Sequence, residues 1–256
     1  MNIEETRKIT LSLIDTFNHA GQISLDLRKI GLTKEIKPDN SPVSNGDIEV
    51  NKILTSKIRE ITPNIAIVSE ESSNHKTDNN LKNFWLIDPI DGTRDYINNR
   101  DEFTLNAALI INRRPIIGII TAPAKKRIFY SYGLSNSYEL INSQEISLIN
   151  KEKDYTELTA VSYSNELKPK ILEIHKKYKI TSHKKMSSSL KFCVVAAGEF
   201  DMYVAEPRAC EWDIAAGHAI FEHAGGKLTN FNGDEILYGK PGFKNPSLIL
   251  RNKNII

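Results

Sequence analysis

The segment at residues 85–93 reads WLIDPIDGT and passes from an apolar run directly into a turn that carries two carboxylates and a hydroxyl. Pro89 fixes its own φ angle and disfavours a helical conformation at Asp88. Gly92 permits a tight turn and the close approach of a ligand to the backbone. The segment therefore predicts a buried strand that ends in a rigid turn, with its polar groups directed into one site.

Two carboxylates held this close repel each other unless a cation lies between their oxygens. Asp88 and Asp91 therefore indicate a metal site, and an ordinary aspartate–proline turn is the alternative. Three further acidic residues stand where predicted elements begin or end, namely Asp47, Glu70 and Asp213. Helix capping is the alternative role for the two aspartates, and simple solvation is the alternative for Glu70.

The chemistry of these groups indicates phosphoryl transfer to water. Carboxylates without intervening histidine or cysteine favour Mg²⁺ or Mn²⁺, and two such ions hold the attacking and leaving oxygens. Thr93 can hold the attacking water, with Asp47 accepting the Thr93 proton and Glu70 accepting from the water. Backbone N–H groups at Gly92 and Thr93, and at a helix starting near Asp213, suit a phosphate.

Composition excludes several other classes of protein. The 256 residues carry 34 basic and 32 acidic side chains, so no general affinity for nucleic acid or anionic membranes is expected. Apolar runs fall short of the ~20 residues that span a bilayer, and the acidic residues near Met1 argue against a signal peptide. Cys193 and Cys210 suit reduced thiols, which favours a cytoplasmic protein and leaves peripheral contact with the inner membrane open. Neither a P-loop nor a serine nucleophile elbow is present.

Hydrophobic periodicity predicts helices at residues 9–30 and 50–61, a strand at 65–68 and an antiparallel meander over 104–132. The second half alternates strands with helices, which is typical of an α/β arrangement. Its strands are predicted at 158–162 and 201–205, and its helices at 168–178, 189–197 and 213–224. We therefore predict an α+β half at residues 1–150 carrying most metal ligands, and an α/β half at 151–256 completing the site.

Four segments, in this order, resemble the motifs of the inositol-monophosphatase-like family of Mg²⁺-dependent, lithium-sensitive phosphatases. They are residues 37–44 with Asp47, 69–71, 88–93, and 212–217 followed by Gly225 and Gly226. The resemblance implies an α/β fold built as a layered α-β-α-β-α sandwich of the sugar-phosphatase type. Gly46 departs from the family, whose members often carry alanine there; we expect this to affect the start of the helix and to leave the chemistry in place.

The resemblance also implies roles for individual residues and two or three Mg²⁺ ions per site. One metal would be held by Glu70, Asp88 and the Ile90 carbonyl, and Asp88 would bridge to a second metal completed by Asp91 and Asp213. The implied catalytic residues are Asp47, Glu70 and Thr93. The implied substrate-binding residues are Glu70, Ile90, Asp91, Gly92, Thr93, Ser188, Lys191 and Asp213.

Within the family, residues 94–97, 101–106, 187–193 and 216–219 resemble the bacterial 3′(2′),5′-bisphosphate nucleotidases of the CysQ type. A serine-rich turn followed by Lys191 suits a second phosphate, and the alternatives are an ordinary helix cap and a solvated lysine. The resemblance implies a monomer or homodimer in sulfur metabolism that hydrolyses adenosine 3′,5′-bisphosphate to AMP and phosphate. An inositol monophosphatase, a broad sugar-phosphate phosphatase and a non-catalytic phosphonucleotide sensor are the alternatives.

Overall fold

The computed structural model describes residues 1–38, 40–72, 81–149, 157–252 and 255. Within these ranges the helices are α1 (Ile3–Ile30), α2 (Asn45–Ile61), α3 (Thr93–Ile97), α4 (Pro169–Lys177), α5 (Leu190–Ala196) and α6 (Glu211–His223). The strands of the first half are β1 (Lys34–Ile36), β2 (Pro42–Ser44), β3 (Ala66–Ser69), β4 (Phe84–Asp91), β5 (Thr104–Ile111), β6 (Arg114–Ala122), β7 (Arg127–Ser131), β8 (Ser137–Ile141) and β9 (Gln144–Ser147). Those of the second half are β10 (Leu158–Ser162), β11 (Ile180–Lys185), β12 (Met202–Ala205), β13 (Lys227–Thr229) and β14 (Leu248–Arg251).

Two large sheets and three layers of helices alternate through the molecule. The seven-stranded sheet has the order β3-β4-β5-β6-β7-β8-β9, and the five-stranded sheet has the order β11-β10-β12-β14-β13. Helices α1 and α2 cover the outer face of the first sheet, α5 and α6 fill the space between the sheets, and α4 packs on the second sheet's other face. This arrangement is the α-β-α-β-α sandwich, so the predicted fold is confirmed.

Strand β4 shows why the central sheet is apolar on both faces. Trp85 and Ile87 pack with the α1–α2 cluster, whereas Phe84 and Leu86 pack with the cluster around α5 and α6. Successive side chains of a strand point to opposite faces, so a sheet covered on both sides needs a continuous apolar run. The apolar stretch before Asp88 thus follows from the burial of this strand between two helical layers.

The end of β4 differs from the predicted turn. The strand continues to Asp91, and its pairing with β5 is interrupted between Asp88 and Asp91. Pro89 lies in this interruption, where its missing N–H removes a possible ladder hydrogen bond. The two aspartates therefore lie on an irregular strand end, and α3 begins immediately afterwards with Gly92 as its cap.

Helix boundaries in the first half depend on capping. Helix α1 begins six residues before the predicted start, because Asn2 and Glu5 form a capping box. Helix α2 begins at Asn45, with Ser44 at the cap, so Asp47 lies in its first turn instead of opening it. The predicted ends of both helices are confirmed, and so is the antiparallel meander of β5, β6 and β7.

The second half contains its predicted strands and helices together with three strands that were not predicted, β11, β13 and β14. Strand β10 runs parallel to both β11 and β12, whereas β14 is antiparallel to β12 and β13. The predicted domain boundary near residue 150 falls in residues 150–156, outside the described part of the chain. The division at 150/151 therefore stays a prediction. None of the described helices is long and apolar enough to cross a membrane.

Helix α6 rests directly on the backbone of the first sheet at Gly118 in β6. A Cβ atom built at Gly118 would lie 2.3 Å from the Ala216 carbonyl oxygen and 2.9 Å from the Ala219 Cβ. A real Cβ does not approach backbone this closely, so only glycine permits the observed spacing. The spacing between α6 and the first sheet therefore depends on this contact.

We expect Gly118→Ala to lower the free energy of unfolding by about 1–3 kcal/mol, because it overpacks the layer between the sheets. Urea denaturation followed by circular dichroism measures the change. Gly21→Ala is the matched control, because a Cβ there would meet its nearest neighbours at 3.1 Å. Equal stability losses in the two variants would contradict the proposed close packing at Gly118.

Candidate active site

Three carboxylates from separate elements converge at one point. Glu70 follows β3, Asp88 lies near the end of β4, and Asp213 lies in the first turn of α6. Each offers one oxygen, and these oxygens all lie within 4.8 Å of one another. The structure thus brings together residues that are far apart in the chain, since Glu70 and Asp213 are separated by 143 positions.

Asp91 joins this carboxylate cluster through Ser189. The Ser189 hydroxyl lies 2.6 Å from the Asp91 Oδ2 and 2.5 Å from the Asp213 carbonyl oxygen, and it accepts a hydrogen bond from the Asn106 amide. Ser189 makes no side-chain cap for α5. The serine therefore fixes Asp91 against the start of α6, a role that the sequence analysis missed.

The donor set fits a hard divalent cation. Asp88 is 1 % exposed, and its Oδ1 has no hydrogen-bond partner among the described residues, which is costly for a buried oxygen. Burial raises the pKa of Asp88 well above its usual value, and the charges of Glu70 and Asp91 add to the effect. Burial, together with the charge of Asp91, raises the pKa of Asp213 to about 8. Oxygen-only ligands of this kind are those that Mg²⁺ and Mn²⁺ prefer.

Lys37 provides positive charge beside the cluster. Its Nζ lies 2.9 Å from the Glu70 Oε1 and 2.7 Å from the Glu71 Oε1. Burial opposes the charged form, but the hydrogen bonds to Glu71 and Glu70 are stronger in sum and raise the pKa of Lys37. In the sequence Lys37 stands out only as part of a motif, because nothing in the local pattern indicates which distant carboxylates it meets.

The predicted pair of Thr93 and Asp47 is in contact. The Thr93 hydroxyl lies 3.1 Å from the Asp47 Oδ1 and 2.9 Å from the Ile90 carbonyl oxygen. The other carboxylate oxygen of Asp47 accepts from the Ser44 N–H at 2.8 Å and from the Ser44 hydroxyl at 2.6 Å. Burial raises the pKa of Asp47, while the bonds from Ser44 lower it. Since a hydroxyl has a single proton, Thr93 donates to one of its two acceptors at a time.

A cavity of about 230 Å³ opens beside the carboxylates. Its walls include acidic, serine, aromatic and cationic residues: Asp91, Gly92, Asp95, Tyr163, Ser187, Ser188, Ser189, Lys191, Tyr203, Arg208 and Asp213. The structure therefore gathers seven predicted site residues, Glu70, Asp88, Asp91, Gly92, Ser188, Lys191 and Asp213, into the cluster or the adjoining wall. Asp47, Ile90 and Thr93 connect through hydrogen bonds to the same strand end.

Lys191 does not lie on a solvated helix face. Its side chain is buried, its ammonium donates to the Ser188 carbonyl oxygen, and it lies 5.4 Å from the centroid of the Tyr203 ring. Burial lowers the pKa of Lys191 to about 8, although the charge of Asp91 opposes this. Lys191 thus supports the serine-rich turn and also contributes a positive charge to the cavity wall.

Arg208 and Tyr163 were missed by the sequence analysis. The Arg208 guanidinium carbon lies 4.2 Å from the centroid of the Tyr163 ring, and both residues line the cavity. Arg208 lies in the loop between β12 and α6, where no periodic pattern marks it as functional. Its contact with a residue 45 positions away in the chain depends on the tertiary fold.

Two residues of the segments that resemble the CysQ-type nucleotidases, His218 and Cys193, are buried in the interior. His218 is buried, and its Nδ1 lies 2.9 Å from the Tyr238 hydroxyl. Cys193 is fully buried in the core between the sheets. Burial raises the pKa of its thiol well above the usual value, which disfavours the reactive thiolate.

Comparisons with known proteins agree with this geometry. Residues 5–254 match the sequence model of the inositol monophosphatase family. A 3′(2′),5′-bisphosphate nucleotidase CysQ from Buchnera aphidicola is 38% identical over 205 residues, covering 79% of this chain and 76% of that protein. The CysQ nucleotidase of Salmonella typhimurium is 32% identical over 213 residues, covering 82% of this chain and 85% of that protein.

A solved structure gives the same picture. The crystal structure of CysQ from Bacteroides thetaiotaomicron, described as a bacterial member of the inositol monophosphatase family, superposes with a TM-score of 0.74. The two chains are 26% identical, and the match covers 96% of this chain and 97% of the other. The two nucleotidases of similar sequence and this solved structure therefore share the name CysQ.

We expect the metal-free protein to become less stable as pH rises from about 4 to about 8. The usual pKa of an aspartate is 3.8, and Asp213 has a raised value of about 8 in the folded chain. The folded state therefore binds its proton more tightly, so this contribution is complete below the lower pKa and is lost as pH rises through the higher one. Urea unfolding with EDTA at pH 5 and pH 8 measures the slope.

Adding Mg²⁺ at pH 8 should restore stability, because a cation that binds only the folded state stabilises it by mass action. Asp88→Asn should weaken this response to Mg²⁺, whereas Asp234→Asn, on an exposed turn, should leave it unchanged. Identical pH profiles with EDTA and with Mg²⁺ would contradict metal binding by the cluster.

Proposed function

Because the chain belongs to the inositol monophosphatase family, we propose that it is a metal-dependent phosphomonoesterase acting on adenosine 3′,5′-bisphosphate. The reaction removes the 3′-phosphate and yields AMP and phosphate. Relatives that share 28–38% identity carry the name 3′(2′),5′-bisphosphate nucleotidase, which supports this substrate. The observation that carries the proposal is a carboxylate cluster, with Asp88 buried and Glu70 and Asp213 partly buried, beside a cavity with two cationic side chains.

Members of this family are metal-dependent phosphatases, and the proposed cofactor is Mg²⁺ at two or three ions per site. Glu70, Asp88 and the Ile90 carbonyl would hold one ion, with Asp88 shared and Asp91 and Asp213 completing another. The unpaired Oδ1 of Asp88 and the all-oxygen donor set support this assignment. When bound, Mg²⁺ neutralises the charge of the phosphoryl oxygens and acts on them as a Lewis acid.

Thr93, Asp47 and Glu70 position the attacking water, and Glu70 also takes its proton. The Thr93 hydroxyl donates a hydrogen bond to the Asp47 carboxylate, and its oxygen is then available to accept a hydrogen bond from the water. Glu70 accepts the other proton of that water. Asp47 is a positioning residue in this scheme, because Ser44 holds its second oxygen and it acts through Thr93. Phosphoryl transfer depends mainly on such positioning and on charge stabilisation.

The cationic wall of the cavity favours a substrate with a second anionic group. Lys191 and Arg208 both line it, and Arg208 lies over the Tyr163 ring. A guanidinium stacked on an aromatic ring is suited to binding phosphate at one edge while the ring contacts a nucleobase. An inositol monophosphate has no second phosphate to satisfy these charges. A non-catalytic sensor is disfavoured, because binding alone does not require Thr93, Asp47 and Glu70 together.

A phosphate-release assay with Mg²⁺ tests the proposal. The three substrates are adenosine 3′,5′-bisphosphate, inositol 1-phosphate and fructose 1,6-bisphosphate, and we expect the highest kcat/KM for the adenosine compound. A preference for inositol 1-phosphate would overturn the nucleotidase assignment and leave the phosphatase chemistry in place. Absence of phosphate release from all three would overturn both.

We expect Thr93→Ala to lower kcat on the order of 10²-fold with little change in KM, because the lost hydroxyl acts chiefly in the transition state. Steady-state kinetics with adenosine 3′,5′-bisphosphate measures both constants. Thr93→Ser is the matched control and should retain most of the activity, since it keeps the hydroxyl. An unchanged kcat with a raised KM would make Thr93 a substrate-binding residue instead.

We expect Arg208→Ala to raise the KM for adenosine 3′,5′-bisphosphate about tenfold to a hundredfold, since a charge-assisted hydrogen bond contributes roughly 1.5–3 kcal/mol. The KM for inositol 1-phosphate should hardly change. Lys168→Ala is the control for long-range charge, because this exposed lysine pairs with Glu206 and does not line the cavity.

Lys191→Ala provides a second comparison at the same wall. If Lys191 contacts the second phosphate, its loss should also affect the adenosine substrate alone. Equal effects on both substrates would assign Lys191 to support of the turn through the Ser188 carbonyl. Equal effects of Arg208→Ala on both substrates would contradict its proposed role in recognising the second phosphate.

A further inference from the structure

Three helices meet at the side chain of Tyr96 in α3. Its hydroxyl donates to the Ser24 carbonyl oxygen of α1 at 2.6 Å, and its ring is fully buried. The ring of Phe103 packs against it with the centroids 4.9 Å apart. A hydrogen bond at one end and close packing along the ring therefore hold Tyr96 in place.

Gly46, in the first turn of α2, lies directly against this ring. A Cβ atom built at Gly46 would lie 2.4 Å from the Tyr96 hydroxyl oxygen, 2.7 Å from its Cε1 and 2.8 Å from its Cζ. Gly46 is not among the glycines with a positive φ, so an L-residue would fit its backbone conformation. Glycine is needed here for space, because the tyrosine ring occupies the position that the methyl group of an alanine would take.

The same two helices carry the Asp47–Thr93 contact. Asp47 follows Gly46 directly, and Thr93 lies one turn before Tyr96 in α3. The Thr93 hydroxyl oxygen lies 3.1 Å from the Asp47 Oδ1. This distance is longer than the roughly 2.7–2.8 Å that is most common for a hydrogen bond between a hydroxyl and an oxygen acceptor. If α2 moved outward by close to 1 Å, this bond would be lost, and the Thr93 proton would go to the Ile90 carbonyl oxygen at 2.9 Å.

We infer that Gly46 and Tyr96 are a coupled positioning pair, in which the missing side chain and the tethered ring set the distance between Asp47 and Thr93. The pair acts on turnover through Thr93, so it rests on the proposed function for its kinetic consequence. On this inference the departure at Gly46 affects the chemistry, whereas the expectation from the sequence was that it leaves the chemistry in place. In this chain glycine is required at position 46 because a tyrosine stands at position 96.

Steady-state kinetics on three variants tests the coupling. Gly46→Ala should lower kcat on the order of 10²-fold with KM within about twofold, because a misplacement near 1 Å has effects of this size. Tyr96→Phe alone should keep kcat within a few-fold of wild type. The double variant Gly46→Ala/Tyr96→Phe should regain about tenfold or more of the lost kcat, because a ring released from Ser24 can retreat from the added methyl group.

Gly226→Ala is the matched control for simple overpacking. Its Cβ would lie 2.1 Å from the Phe221 Cζ, a comparable clash at the C-terminal end of α6, away from the Asp47–Thr93 pair. It should lower the Tm by about 5 °C or more without the loss of kcat seen for Gly46→Ala. A similar loss of kcat in both glycine variants, or no recovery in the double variant, would overturn the inference.

Thermal unfolding of the same variants separates this inference from the proposed function. The Tm lost through Gly46→Ala should be clearly smaller in the Tyr96→Phe background than in the wild-type background, whatever the substrate. If the Tm changes of Gly46→Ala and Tyr96→Phe simply add in the double variant, the inferred coupling is overturned even if the enzyme is active. If Gly46→Ala alone does not fold, cooperative unfolding of the double variant supports the coupling, and failure of both variants to fold overturns it. An inactive wild-type protein with coupled Tm changes would instead remove the proposed function.

Discussion

Mutual repulsion acts among three carboxylates that are wholly or partly buried, and the packing around the site works against it. Glu70, Asp88 and Asp213 offer oxygens within 4.8 Å of one another, and burial disfavours the charged forms of both aspartates. Apolar clusters on both faces of the first sheet hold these groups together in the fold. A bound divalent cation would make the same arrangement favourable, so metal binding would raise the stability of the fold.

The helices between the two sheets, α5 and α6, hold the acidic residues of the two halves together. Helix α6 rests on the backbone of β6 at Gly118 and presents Asp213 from its first turn. The Ser189 hydroxyl, just before α5, joins that turn to Asp91 on β4. The Asp213 carboxylate accepts a local hydrogen bond from the Cys210 N–H, and the packing of α6 between the layers brings it to the other acidic residues. Residues from both halves therefore form one site.

Opposite charges are separated across the site. The carboxylates lie at the strand ends, while Lys191 and Arg208 lie on the cavity wall beside them and Lys37 contacts the cluster from another side. A phosphorylated nucleotide, which carries anionic groups at two positions, matches this separation better than a polyol with a single phosphate. The Thr93–Asp47 contact lies where α2 meets α3, so its geometry depends on the packing of Gly46 against Tyr96.

Local patterns in the sequence predict the main elements and the acidic residues of the site, because periodicity, capping and turn residues act over a few positions. Residues 85–93 alone predicted a buried strand ending in polar groups, and four ordered motifs predicted the layered fold. Tertiary structure decided the burial of Lys191, the contact of Arg208 with Tyr163, the role of Ser189 and the place of β14 between β12 and β13. Each of these depends on residues far apart in the chain, whose proximity follows from the packing of layers and leaves no local pattern in the sequence.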